Sequence, residues 1–194
     1  MKVISTTEGR RLAEQTPYAE AILRLDRNPL LAVRCFDPPF RYATHRYRSG
    51  GAFSNCCGTI AYVSRTEDGI KDYWTPERAR QKSPDGESYI AFPRLELNRP
   101  GFVSPAFMQD FLQYGNSFAR ISGETMPGDV VTFRDRDHEM HDAAVLLGVL
   151  HGCNVLFYQT ATGRPFRFGT IEEYQAAIEN AVGECDFDIW RKVN

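Results

Sequence analysis

Two adjacent cysteines, Cys56 and Cys57, stand in the stretch SNCCGTIAYV, between small polar residues and an apolar run. A cysteine attacks as its thiolate, so a nucleophilic role requires a setting that lowers the thiol pKa. Asn55 is a good helix N-cap, and Ile60 and Val63 continue one face of a helix running to about Arg65. Cys56 would then occupy the first turn. There the unpaired backbone N–H groups and the positive end of the helix dipole favour an anion. The plain alternative is a pair of small buried hydrophobes. The polar and small residues ahead of the pair favour the reactive reading over a position inside the core.

A thiol nucleophile needs a proton acceptor, and four histidines are available: His45, His138, His141 and His151. His141 directly precedes the apolar run DAAVLLG, and strand alternation would put His141, Ala143, Val145 and Leu147 on one face. The small Ala143 and Ala144 would let a cysteine-bearing helix approach. His138 falls in the charged turn RDRDHEMH, and it, His45 and His151 read as surface residues. Gln159, near the end of NVLFYQT, could accept the Nδ1–H of an imidazole and orient it. It reads nearly as well as an ordinary polar strand residue.

Several elements must position these groups. TPYAEAILRL reads as a helix capped by Thr16 with Pro17 at its first position, and Tyr18, Ile22 and Leu25 share a face. The prolines and glycines between Pro29 and Gly51 imply irregular chain, with a short extended piece from Leu31 to Cys35. The charged segment from Thr66 to Gly101 carries Pro76, Pro84, Pro93 and Pro100 and reads as an insertion or lid within a single domain spanning residues 1–194. SPAFMQDFLQYG is a second capped helix, ending at Gly115. After MPGDV the pattern becomes a meander of strands, DVVTF, DAAVLLGVL, VLFYQT and FRFG. A final helix follows, with Thr170 and Glu173 as a capping box and Ile171, Tyr174, Ile178 and Val182 facing inward. Helices first, then antiparallel strands, then a helix predicts an α+β fold.

The order of these pieces resembles the NlpC-type branch of the papain-like cysteine peptidases, which cleave amide bonds in bacterial cell-wall peptides. The matching pieces are Tyr47-Arg48-Ser49-Gly50-Gly51, Asn55-Cys56-Cys57-Gly58, Pro127-Gly128-Asp129, His141 through Gly148, and Gln159. Each is weak alone, and their joint order carries the likeness. The resemblance implies N-terminal helices packed on an antiparallel sheet. It implies Cys56 as nucleophile, His141 as base, Gln159 as the orienting group and Tyr47 near the reacting carbonyl, with the Cys56 N–H as an oxyanion donor. Cys57 is the alternative nucleophile. His138 and Asp142 are the alternatives for the base, because counting back from Gly148 places the family histidine at Asp142. No cofactor or metal is called for.

Composition narrows the partners. Lys plus Arg number 23 and Asp plus Glu 25, for a net charge of -2, so no basic surplus points to nucleic acid. No apolar stretch approaches the ~20 residues of a membrane span. The start MKVISTTEGRRLAEQ lacks the apolar core of a signal peptide, and the five cysteines form no C-x-x-C pair, consistent with synthesis in a reducing cytoplasm. By analogy with type VI secretion amidases, an enzyme of this kind would be carried by a specialised system to a target periplasm. Its partners would be peptidoglycan peptides, with an immunity protein or secretion component. Alternatives are a protein-directed thiol protease, deamidase or acyltransferase, and, in another class, a zinc-supported module using Cys56, Cys57, His138 and His141, or a catalytically inactive binding fold.

Overall fold

The computed structural model describes residues 3–32, 40–42, 54–92 and 98–193, residues 40–42 as backbone only. Tyr47, His45 and Cys35 lie outside them. The element order is α1 (Thr6–Ala13), α2 (Ala19–Arg27), a 3-10 turn (Pro29–Ala32), β1 (Phe40–Tyr42), α3 (Cys56–Val63), α4 (Glu67–Tyr73) and α5 (Pro76–Lys82). Then follow β2 (Ile90–Phe92), β3 (Phe102–Val103), α6 (Pro105–Tyr114), β4 (Phe118–Ile121), β5 (Val130–Asp135) and β6 (Met140–Leu150). The last elements are β7 (Cys153–Gln159), β8 (Phe166–Thr170), α7 (Ile171–Val182) and β9 (Cys185–Lys192). The fold is α+β.

A six-stranded antiparallel sheet in the order β4-β9-β5-β6-β7-β8 organises the core, and a small sheet β1-β2-β3 lies apart from it in pairing. Alternation along the strands gives the large sheet two apolar faces. Val130, Val145, Leu147, Val155 and Phe157 pack with residues of α1, α2, α3 and α6. Val131, Phe133, Ala144, Leu146 and Leu156 pack with Ile171, Tyr174 and Ile178 of α7. The capping box expected for α7 is present: the Glu173 N–H donates to Thr170 Oγ1 at 3.2 Å and the Thr170 N–H to Glu173 Oε2 at 3.0 Å. Val182, expected to face inward, is exposed.

Several expectations need correction. Leu31 and Ala32 belong to a 3-10 turn, not an extended piece. Thr16 does not cap a helix starting at Pro17. Its hydroxyl donates back to Ala13 O at 2.8 Å, and α2 begins only at Ala19. The segment from Thr66 onward contains α4 and α5, and it sends Ile70, Trp74 and Ala79, all fully buried, into the same core as α3. The Trp74 ring stacks on Phe107 of α6 at 4.0 Å, and its Nε1–H donates to Phe107 O. That packing ties the segment to the body of the domain. Strands β4 and β9 were not anticipated, and β9 inserts between β4 and β5.

Candidate active site

The start of α3 is fixed by three neighbouring residues. Asn55 is extended, and its Oδ1 accepts from the Gly58 N–H at 2.9 Å, the N-cap bond predicted from sequence. The same side chain also completes the free edge of β3. Oδ1 accepts from Val103 N at 3.1 Å and Nδ2 donates to Val103 O at 2.7 Å. Ser54, fully buried, donates to Ala32 O at 3.2 Å. Gly58 lies so close to the chain after α5 that a Cβ there would sit 1.9 Å from Gly101 O. The close approach requires glycine at this position.

Gln159 is where the sequence put it, at the end of β7, but its partners differ from those expected. It is fully buried. Its Oε1 accepts from Thr59 Oγ1 at 3.0 Å, and its Nε2 donates to Ser54 O at 3.2 Å and Arg164 O at 2.9 Å. These bonds clamp the first turn of α3 to the sheet, and none of them reaches an imidazole. Gln159 is therefore a positioning residue for the cysteine helix.

His141 is held elsewhere. Its Nε2 lies 2.7 Å from Asp135 Oδ2, and that hydrogen bond holds the Asp135 carboxyl below its usual range. Asp135 Oδ1 meanwhile accepts from the Asp137 and Glu139 N–H groups and shapes the β5–β6 turn. No hydrogen bond joins His141 to Cys56 among the described residues. The reason is the register. Phe133 pairs with Asp142 and Arg134 with Met140, so a bulge falls at His141 and leaves it unpaired. The next residue, Asp142, is the ladder partner of Phe133.

The half-buried Asp142 carboxyl lies near the Cys56 thiol and Tyr174, and its Oδ1 accepts from the Ala143 N–H at 2.9 Å. Burial nevertheless raises its pKa above the usual carboxylate value. Tyr174 is buried, donates to Gln159 O at 3.2 Å, and has its pKa pushed well up, by burial first and then by the Asp142 charge. Cys56 is 8% exposed and Cys57 fully buried, with their sulfurs 3.7 Å apart. The Cys56 pKa is raised well above that of an ordinary thiol. The hydrogen bond with Cys57 contributes most, followed by burial and by the Asp142 charge. The expected lowering by a neighbouring imidazole is absent, and the carboxylate has the opposite effect. At rest the thiol keeps its proton.

Two features still suit a reacting carbonyl. The Cys56 and Cys57 N–H groups open α3, and among the described residues no acceptor takes either of them. The helix dipole also points its positive end at the sulfur.

The zinc set is not assembled. His138 is exposed, adopts φ 64°, and its ring contacts Arg134 on the turn. Among the described residues no group of three or more His, Cys, Asp or Glu could hold a metal ion. Pro127-Gly128-Asp129 forms the entry to β5. Gly128 has φ 99°, and the buried Asp129 takes Arg191 in a two-pronged pair at 2.9 and 2.8 Å. No helix among the described residues is long and apolar enough to cross a membrane. In comparisons with known proteins, no family model, no curated protein and no solved structure matches the chain.

Proposed function

We propose that the chain is a cysteine hydrolase acting on amide bonds, with Cys56 as nucleophile and Asp142 as its proton acceptor. The observation that carries this reading is the buried Cys56 thiol at the N-terminus of α3, with the half-buried Asp142 carboxylate close enough to oppose its ionisation and two backbone N–H groups that no described residue takes. Burial penalises the total charge of the pair, which is −1 whether the proton sits on sulfur or on oxygen. Moving the proton from Cys56 to Asp142 therefore adds no charge to the site. As the sulfur attacks a carbonyl, Asp142 takes the thiol proton, and the developing oxyanion meets the Cys56 and Cys57 N–H groups. The C–N bond then breaks, with neutral Asp142 returning the proton to the leaving amine. Water, deprotonated by Asp142, hydrolyses the thioester and frees the sulfur.

The proposed substrate is the peptide portion of bacterial peptidoglycan, and the proposed setting is an antibacterial effector released into a target periplasm. The order of motifs, from Gly50-Gly51 through Asn55-Cys56 to the β6 and β7 strands, supports it. Purified protein should release new amine ends from isolated wall fragments. Cys56→Ala should abolish the release, and Asp142→Asn should lower it about 10²–10⁴-fold. Expression with an added export signal should lyse cells, and cytoplasmic expression should be tolerated. Intact wall fragments together with toxicity of the cytoplasmic form would reject the wall substrate in favour of a protein-directed thiol enzyme. A larger loss from His141→Ala than from Asp142→Asn would give the base role to the His141–Asp135 pair.

A further inference from the structure

We propose that Cys56 and Cys57 are a peroxide-responsive pair that closes to a reversible disulfide and so removes the Cys56 thiol. Their sulfurs are in contact at 3.7 Å, although side chains of consecutive helical residues ordinarily diverge. Their exposures differ in a way that assigns the roles. Both are buried, but Cys56 retains 8% exposure and Cys57 none, so Cys56 is the more reachable of the two for a molecule as small as peroxide. Cys56 is thus the oxidised thiol and Cys57 the resolving one.

The steps balance with hydrogen peroxide as oxidant. The Cys56 sulfur attacks one peroxide oxygen, the O–O bond breaks, and the departing oxygen leaves as water with the thiol proton. Cys56 becomes a sulfenic acid. The Cys57 sulfur then attacks Cys56 Sγ, the S–O bond breaks, and a second water leaves. The pair loses two electrons and peroxide gains two.

The place in the helix makes this closure affordable and easily undone. Disulfide-linked residues usually have Cα atoms ~4.4–6.8 Å apart, whereas neighbours across a trans peptide are about 3.8 Å apart, so the bridge is strained and readily reduced. The Cys56 and Cys57 N–H groups take part in no helical hydrogen bond, so the bridge sacrifices no N–H bond of the pair itself, while the Gly58 and Thr59 N–H groups hold the turn to Asn55. The reaction runs through the thiolate, and Cys56 holds its proton tightly. Oxidation should therefore quicken as pH rises.

The chemistry of the pair stands on the geometry, and only its effect on turnover rests on the function proposed above. The test uses full-length protein exposed to hydrogen peroxide, alkylated, and digested with trypsin without reductant. The tryptic peptide 49–65 carries Cys56 and Cys57 and no other cysteine. It should become lighter by two hydrogen atoms and resist alkylation until dithiothreitol restores it. Cys57→Ser should accumulate a dimedone-trapped sulfenic acid on Cys56, and Cys56→Ser should leave Cys57 unoxidised. If the Cys57 variant fails to fold, the wild-type mass shift decides alone. A sulfinic or sulfonic Cys56 beside a reduced Cys57, a bridge from either to Cys35, Cys153 or Cys185, or an unmodified peptide would overturn the proposal. Wall-fragment hydrolysis should fall and recover in step with the mass shift. A disulfide that forms in a protein showing no hydrolysis when reduced would reject the hydrolase and leave the redox pair standing.

Discussion

Asn55 holds the candidate nucleophile in place with a single amide that no other side chain can replace. Its Oδ1 serves two N–H groups, of Gly58 and Val103, and its Nδ2 serves Val103 O. Asn55→Ala removes all three bonds at a site only 5% exposed. Losing the cap costs about 1 kcal/mol. Stranding the buried Val103 N–H and C=O costs about 1–3 kcal/mol each, for a total of about 3–7 kcal/mol with the cap. In a chain of this size, at about 2–4 °C per kcal/mol, that lowers Tm by roughly 6–28 °C. Asn55→Asp is the sharper probe, because Asn and Asp are nearly equal as caps. The aspartate keeps the acceptor for both N–H groups but turns an oxygen toward Val103 O in place of the donor. We expect it to cost about 2–4 kcal/mol. Urea unfolding of both variants measures these losses. An Asn55→Asp variant within about 0.5 kcal/mol of wild type would refute the argument, since the cap alone would then explain the residue.

Gly58→Ala places a Cβ 1.9 Å from Gly101 O, backbone against backbone, and should lower Tm and expose Cys56 to alkylation faster than any neighbouring helix substitution of equal size. Glu67 titrates at about 7 against an ordinary 4.5, because burial opposes its charge. The folded state therefore keeps the proton longer than the unfolded chain. Stability is full below pH ~4.5 and falls by about 3 kcal/mol as pH rises through ~7. Urea midpoints at pH 5 and pH 8 should show this fall, and Glu67→Gln should flatten it. Gln159→Leu should loosen the start of α3, seen as faster amide exchange at Thr59 and Ile60, because the clamp to Ser54 and Thr59 is lost.

Local signals carried much of this fold. The cap at Asn55, the capping box at Thr170 and Glu173, and the alternation of β5 to β8 are written within a few residues, and the structure has them. Long-range pairing was not legible. The sequence CDFDIWRK of β9 alternates charge with apolar residues and becomes a strand by inserting between β4 and β5. Helices α4 and α5 are short and charged, and tertiary contacts through Ile70, Trp74 and Ala79 hold them. His141 illustrates the limit best. Alternation counted without a bulge puts His141 on the inner face, whereas the bulge opposite Phe133 and Arg134 leaves His141 unpaired and its ring on Asp135. Bulges have no reliable signature in one sequence. The role of Gln159 was missed because its partners, Ser54 and Thr59, lie more than a hundred and exactly a hundred residues away in the chain.

The proposed chemistry depends on Cys56 passing its proton to Asp142. The most direct measurement is the pH profile of Cys56 alkylation in wild type and Asp142→Asn, read beside amide hydrolysis by the same proteins. In wild type, alkylation should titrate well above an ordinary thiol. Removing the carboxylate removes an anion that opposes the thiolate, so Asp142→Asn should shift the profile downward and label Cys56 faster at neutral pH. The same variant should lose hydrolysis, because the proton acceptor is gone. Faster labelling with slower turnover is the signature of this pair. A wild-type profile below the ordinary thiol range, moved upward by His141→Ala and unmoved by Asp142→Asn, would contradict it.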